Sequence, residues 1–313
     1  MLRRLAFLLV SLAAASIVTF LLLRLLPGDP ANALVAVGAT PAQIQAARHA
    51  IGSDQPVLQQ FITWAGQMAR FDLGTSFTSG VAVGPQIVTR MALTLPLTLI
   101  SFVVAVLIAA PVGFVAARYR ERWFGLAASA LSQLGLAVPV FWIGILLVWL
   151  FALGLHVLPA GGFPEQSWAD PADAARSLVL PVVTIALVMS ASIARYVRSA
   201  SIEVIDSDFL RTFRALGASF GGAMLRHGLK SVAVPLTSVL GIELATTFLG
   251  AVVVENVFAL PGLGSMLVNG IAAHDYPTIQ GVILVTTLLV LVVGFLADLA
   301  QKLLDPRLRG SLL

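Results

Sequence analysis

Long apolar runs without Asp, Glu, Lys or Arg alternate with short polar clusters along this chain. Residues 5–23 form one such run, bounded by Arg3 and Arg4 before it and Arg24 after it. Residues 91–117 form a second, between Arg90 and Arg118. From Trp123 no acidic or basic residue occurs before Glu165, which predicts a third span ending near His156. Residues 177–194 lie between Arg176 and Arg195, residues 231–254 are interrupted only by Glu243, and residues 276–297 close the series. About 20 apolar helical residues cross a bilayer core roughly 30 Å thick. The pattern therefore predicts six transmembrane helices. The first run also has the basic start of a secretory signal peptide. A signal core, however, has about 7–15 apolar residues before a small-residue cleavage site. This run is longer and continues into Leu26-Pro27-Gly28-Asp29-Pro30, which favours a retained anchor.

The stretches between spans have their own periodicities. In the segment after the first span, about residues 27–90, Thr40-Pro41-Ala42-Gln43 reads as a capping box with proline at the first helical position. Ile44, Ala47 and Ile51 then share a face. Asp54-Gln55-Pro56 opens a second helix with Val57, Phe61, Trp64 and Met68 at 3–4-residue spacing, and Phe71-Asp72-Leu73-Gly74 breaks it. Such a small cap serves either as a collar packed on the span tops or as a direct contributor to substrate binding. Between spans four and five, residues 196–230 exceed what a helix connection needs. Ser207 or Asp208 caps a short helix with Phe209, Phe213 and Leu216 on one face and Arg211 and Arg214 on another, stopped by Gly217. Its apolar face needs a cover. Two covers fit: the bilayer interface or a groove on a cytoplasmic partner.

Composition narrows the class. The 313 residues are 58% hydrophobic and only 11% charged, with mean hydropathy +0.96. A soluble domain has about 25% charged residues, so a single soluble enzyme, a secreted disulfide scaffold and a disordered tail are excluded. With no cysteine, disulfides, Cys-bound zinc, iron–sulfur clusters and thiol nucleophiles are excluded as well. Fourteen of the nineteen Lys and Arg fall in segments that are cytoplasmic when the N-terminus is inside. The positive-inside rule then places both termini in the cytoplasm. The net charge of +4 thus reflects topology and not nucleic acid. Glu165, Asp170 and Asp173 give the outer loops a mildly negative character, facing Arg176 alone.

Arg211-Thr212-Phe213-Arg214-Ala215-Leu216-Gly217, with Pro235 eighteen residues after the glycine, resembles the coupling-loop signature of ATP-binding-cassette importer permeases. The dipeptide/oligopeptide/nickel branch is suggested by Leu26-Pro27-Gly28-Asp29-Pro30, Phe71-Asp72-Leu73-Gly74 and Leu158-Pro159. It is suggested further by the run from Glu255 through Pro261, Gly262 and Gly264, by Asp275-Tyr276-Pro277, and by the tail containing Asp305, Pro306 and Arg307. Together these motifs span nearly the whole chain. One departure is Leu216, where the family usually carries a basic residue.

The resemblance implies an all-α polytopic membrane protein with an anchor at 1–26, an external helical cap at 27–90, a five-helix permease core at 91–304 and a cytoplasmic tail at 305–313. It implies the pore-forming subunit of an ATP-driven, binding-protein-dependent importer in the bacterial inner membrane, most naturally for di- and oligopeptides, with nickel or metal chelates as the alternative. The chain itself would not be an enzyme. ATP and Mg would be bound by two partner ATPases, docking on Phe209, Arg211, Phe213, Arg214, Leu216 and Gly217. A second homologous permease and an extracytoplasmic binding protein would complete the assembly.

Other motifs carry less. Gly217-Ala218-Ser219-Phe220-Gly221 matches the nucleophile-elbow pattern but lacks its strand–turn–helix setting. No G-x-x-x-x-G-K-[ST] phosphate loop occurs. His49, His156, His227 and His274 lack ligand spacing and read as solvated loop residues. Glu243 is the one acidic residue expected inside a span, where ionisable groups are costly and face the interior. With Thr246 and Thr247 a turn later, it marks either a substrate path or a helix–helix hydrogen bond. An ion-gradient-driven secondary transporter is the competing class. It predicts inverted repeats and several midplane ionisable groups, and the sequence offers one Glu and no repeat.

Overall fold

The computed structural model describes residues 2–25, 29–35 and 39–304. The motif residues Leu26, Pro27, Gly28, Asp305, Pro306 and Arg307 lie outside them. Twelve α-helices are found in this part: α1 (Leu2–Leu23), α2 (Pro41–Ile51), α3 (Val57–Met68), α4 (Val83–Arg118), α5 (Trp123–Ala137), α6 (Val140–Leu147), α7 (Pro171–Ile205), α8 (Asp208–Ala215), α9 (Phe220–Ala223), α10 (Leu229–Val257), α11 (Leu263–Ala272) and α12 (Tyr276–Leu304). Among the described residues the fold is all-α, as the patterning predicts. Five stretches are long and apolar enough to cross a bilayer: Ala6–Leu23, Val83–Arg118, Pro171–Ile205, Phe220–Val257 and Tyr276–Leu303.

The third predicted span differs from expectation. It is not one helix but two, α5 and the continuation of α6 to Gly154, bent by 101°. The cause is local. Pro139 disfavours helical backbone at the residue before it, and Val138 is extended at φ −88°, ψ 125°. Counting the bent pair as one span restores six. Beyond Leu147 the chain widens into a π-helical stretch, Val148–Gly154.

The chain divides into two compact units, one formed by Met1–Thr94 with Pro261–Leu291, the other by Leu95–Leu260 with Val292–Leu313. In the first, the cap forms as its sequence predicts. Thr40 and Gln43 make the reciprocal capping box, Pro41 opens α2, and Gly52 ends it in the left-handed region at φ 69°. Ala47 is the buried residue of α2. The start of α3 departs from the sequence reading: Pro56 is its N-cap, without a side-chain hydrogen bond. Asp54 instead accepts from His49 Nδ1 at 2.8 Å. The apolar face of α3 packs Phe61 and Trp64 against Phe20 of α1, with ring centroids 5.1 and 5.4 Å from it. A core of Val83, Ile87, Leu263, Met266 and Val282 joins α4, α11 and α12.

In the second unit α7 is the central post, with 72% of its span window buried inside the protein. It packs against α5, α6 and α10. Small residues permit close approach of the helices, as membrane packing requires. A Cβ at Gly113 of α4 would come within 2.7 Å of Val197 Cβ on α7. One at Gly241 of α10 would collide with Ala297 on α12.

Candidate coupling helix and pathway residues

The loop between α7 and α10 folds into a compact helical device. Ser207, in extended backbone, accepts a hydrogen bond from Leu210 N at 3.3 Å and so caps α8. At the other end Gly217 takes φ +93°, a region open to glycine. Its N–H donates to Arg214 O at 3.0 Å, and Ala218 N donates to Phe213 O at 3.1 Å. This pair of bonds is a Schellman termination. Both ends of an eight-residue helix are thus fixed by the residues the sequence singles out.

The faces of α8 are divided differently from the sequence expectation. Leu210, not the Phe209–Phe213–Leu216 stripe, is the buried anchor, at 1% exposure. Phe209 and Phe213 pack edge to face with centroids 5.0 Å apart, and His227 stacks on Phe213 at 4.3 Å. His227, expected as a solvated loop residue, is exposed yet held in this aromatic cluster. Leu216 is 79% exposed, and Arg211 and Arg214 are exposed beside it. Arg211 reaches back to Asp208 Oδ1 at 3.2 Å. The exposed side of α8 therefore combines a bare leucine with two guanidinium groups.

Two contacts outside the loop's own pattern hold this device. Arg120, in the turn after α4, donates Nη1 to Asp206 Oδ2 at 2.7 Å and Nη2 to Asp206 Oδ1 at 3.1 Å, at the hinge between α7 and α8. The hydrogen bond from Arg120 lowers the Asp206 carboxyl below its ordinary value, and the same bond raises the Arg120 guanidinium. Arg118 lies over the Phe220 ring, 4.4 Å from its centroid. Sequence reasoning missed Leu210, His227, Arg120 and Asp206. Only Leu210 had a local signal, and a leucine inside an aromatic–basic pattern is easily assigned to the wrong face.

Glu243 lies at the α7–α10 contact. Its Oε1 accepts from Ser192 Oγ at 2.6 Å. Thr246 and Thr247 both return their hydroxyls to the Glu243 carbonyl, at 3.0 and 2.7 Å, and Thr247 is buried against Met189 while Thr246 is exposed. The two threonines thus point to different surroundings. Glu255, expected at the edge of an outer loop, lies inside α10 and is fully buried. It is a second acidic residue within this helix, beyond the single Glu243 of the sequence reading. Its carbonyl accepts from Leu260 N at 2.8 Å, closing a tight turn in which Phe258 and Leu260 are each 1% exposed. Phe258 O in turn accepts from Gly162 N at 2.7 Å. In the other unit Gly262 caps α11, Gly264 is buried within it, and Leu263 N donates to Thr94 Oγ1 at 2.9 Å. Pro261 precedes this cap in an exposed position.

An all-α bundle of apolar spans with a capped surface helix in the segment between α7 and α10 defines a multi-pass membrane protein of the permease class. The chain belongs to the binding-protein-dependent transport system inner membrane component family, whose model matches residues 109–310; the N-terminal model of the same family matches residues 1–98. It is 33% identical to the glutathione transport system permease protein GsiC of Escherichia coli O6:H1, over 98% of this chain and 97% of that one. It is 32% identical to the di/tripeptide transport system permease protein DppB of Pseudomonas aeruginosa, with the same coverage. Its fold resembles a chain of the inward-facing MetNI methionine ABC transporter, with a TM-score of 0.58 at 19% identity, covering 70% of this chain and 96% of that one.

Proposed function

We propose that this chain is the pore-forming permease subunit of an ATP-driven importer for di- and oligopeptides, coupled to separate ATPases through α8. The observation that carries the coupling role is α8 itself. A short helix with both ends capped, anchored by Leu210 and braced by Arg120–Asp206, leaves Leu216, Arg211 and Arg214 available to a partner. A rigid helix of this kind transmits a push; a flexible loop absorbs it. Peptide cargo is supported by the full-length relatives named for di/tripeptide and glutathione transport, which favours it over nickel.

In this reading both termini and α8 face the cytoplasm. Two ATPase subunits bind ATP and Mg below, and a second homologous permease supplies the other half of the pathway. An extracytoplasmic binding protein delivers the peptide. Closure of the ATPases around ATP draws the two coupling helices together, and the spans open outward to receive cargo. Hydrolysis then resets them inward. This chain contributes no step of ATP chemistry.

The test is uptake by proteoliposomes containing the co-expressed permeases, ATPases and binding protein. Labelled di- and tripeptides are expected to accumulate only with internal ATP, and nickel is not. Accumulation driven by a proton or sodium gradient without ATP would place the chain among secondary transporters.

A further inference from the structure

The first unit contains a cleft of about 1020 Å³ whose walls include Phe20, Arg24, Gln60, Trp64, Tyr276 and Gln280. None of the described residues lining it is acidic. Arg24 Nη1 donates to Phe20 O at 3.5 Å and Nη2 donates to Gln60 Oε1, while the guanidinium lies 3.7 Å from the centroid of the Phe20 ring. These partners are neutral. The nearby carboxylate of Asp29 is already engaged, accepting from Arg48 Nε at 2.6 Å and from Ala31 N at 3.0 Å.

Two donors on residues lining this cleft, Arg24 Nε and Trp64 Nε1, are shielded and find no acceptor among the described residues. Both groups pack on the same Phe20 ring. Gln60 is oriented from behind, its Nε2 donating to Gln55 O at 2.8 Å and Ser53 O at 3.2 Å, so its oxygen is committed to Arg24. A shielded donor left unpaired is costly, and so is a partly buried cation without a counter-charge. A cleft with spare N–H donors, an uncompensated guanidinium and no acid is built for an oxyanion.

The level of the cleft in the membrane says which oxyanion. Arg24 directly follows Leu23, the last residue of an apolar span, and Leu21, Leu22 and Leu25 around it are exposed. Tryptophan and tyrosine concentrate at the bilayer–water interface, and arginine at a helix end reaches headgroup level. We propose that this cleft binds the phosphate of a phospholipid headgroup, the Arg24 and Trp64 side chains turning to present Nε and Nε1 to it, and so seats the cap on the membrane surface.

The experiment is native mass spectrometry of the full-length chain purified in its complex, released from detergent that preserves native lipid. The wild type is expected to keep one phospholipid per copy at collision energies that strip the rest. Arg24→Gln is expected to lower that occupancy about tenfold, through loss of a charge-assisted contact. Trp64→Phe, which keeps the ring packing on Phe20 and removes only the N–H, is expected to lower it about threefold. It serves as the deciding variant if Arg24→Gln fails to assemble. Equal retention by the wild type and Trp64→Phe overturns the proposal. Displacement of the bound lipid by millimolar inorganic phosphate or by a dipeptide also overturns it, because the oxyanion would then be a solute.

Discussion

Arg120 and Asp206 are 86 positions apart in sequence and meet through two parallel hydrogen bonds, tying the turn after α4 to the point where α7 gives way to α8. The pair braces α8 from outside its own loop. Both side chains are solvent-exposed, so the pair adds little to stability and its main value lies in geometry. Arg120→Gln is expected to leave expression and assembly unchanged while loosening α8. Since the chain has no cysteine, a spin label on a single Ala215→Cys reports this directly: mobility should rise in Arg120→Gln, and ATP-driven uptake should fall several-fold. Unchanged mobility would mean that the pair does not hold α8.

The same pair sets a pH dependence. Asp206 is held below its ordinary value chiefly by the hydrogen bond from Arg120. A carboxyl depressed in the folded state stabilises above its unfolded pKa of about 3.9, and that contribution is lost as pH falls through the folded value. Thermal unfolding measured from pH 6 down to pH 3 should therefore show a larger loss of midpoint for the wild type than for Asp206→Asn. Parallel curves would mean that the bond contributes nothing in solution.

Leu210 and Leu216 give a contrast within one short helix. Leu210 is buried, and truncation to alanine removes packing worth about 2–4 kcal/mol. Leu216 is bare, and its truncation should change stability by no more than about 0.5 kcal/mol. Leu210→Ala is expected to lower the unfolding temperature of the isolated chain. Leu216→Ala should leave that temperature unaltered but weaken ATPase association in a pull-down. If both variants affected only stability, α8 would be a structural element without a docking face.

This contrast shows where the sequence is readable and where it stops. Charge-free runs of span length are unambiguous because lipid tolerates few alternatives to a continuous helix. The cap helix at Thr40–Gln43 and the ends of α8 at Ser207 and Gly217 are equally plain, since capping chemistry is local. The break at Val138–Pro139 hides inside an apolar run, because hydropathy is blind to backbone direction. Within α8 and its C-cap the apolar residues at 209, 210, 213 and 216 form one stripe about 120° wide, with Leu210 at its edge. Periodicity alone could not choose Leu210 as the buried one. Partners far apart in sequence, such as Arg120 with Asp206 or Ser76 with Asp275, leave no local signal at all.

Glu243 separates a pathway role from a packing role. Its Oε1 accepts from Ser192 Oγ, a bond that glutamine can also accept. Glu243→Gln therefore preserves the α7–α10 contact while removing the charge. If the carboxylate lines the substrate path, uptake rate or peptide selectivity should change by several-fold with assembly intact. Unchanged uptake in vesicles would leave Glu243 as a helix–helix contact alone.

Asp275 organises one end of the first unit, and its removal should unfasten one loop without unfolding the rest. The side chain is 2% exposed and accepts four hydrogen bonds. Oδ1 takes Phe77 N at 3.0 Å, while Oδ2 takes the hydroxyls of Ser76, Thr78 and Thr278, the last at 2.9 Å. Three of these donors belong to the loop before α4, and Thr278 belongs to the first turn of α12. Asparagine keeps one acceptor oxygen for Phe77 N, and the hydroxyls can turn to accept from its amide. Asp275→Asn should thus cost only about 1–2 kcal/mol. Alanine strands all four donors, so Asp275→Ala should cost about 3 kcal/mol or more. Limited proteolysis is the discriminating measurement: cleavage within residues 75–80 should appear at the lowest protease concentration in Asp275→Ala, next in Asp275→Asn, and last in the wild type. The spans themselves should remain protected in all three. Equal cleavage across the series would mean that the loop is held by the Thr75–Ala82 bridge and the Ser76 N to Val81 O bond instead.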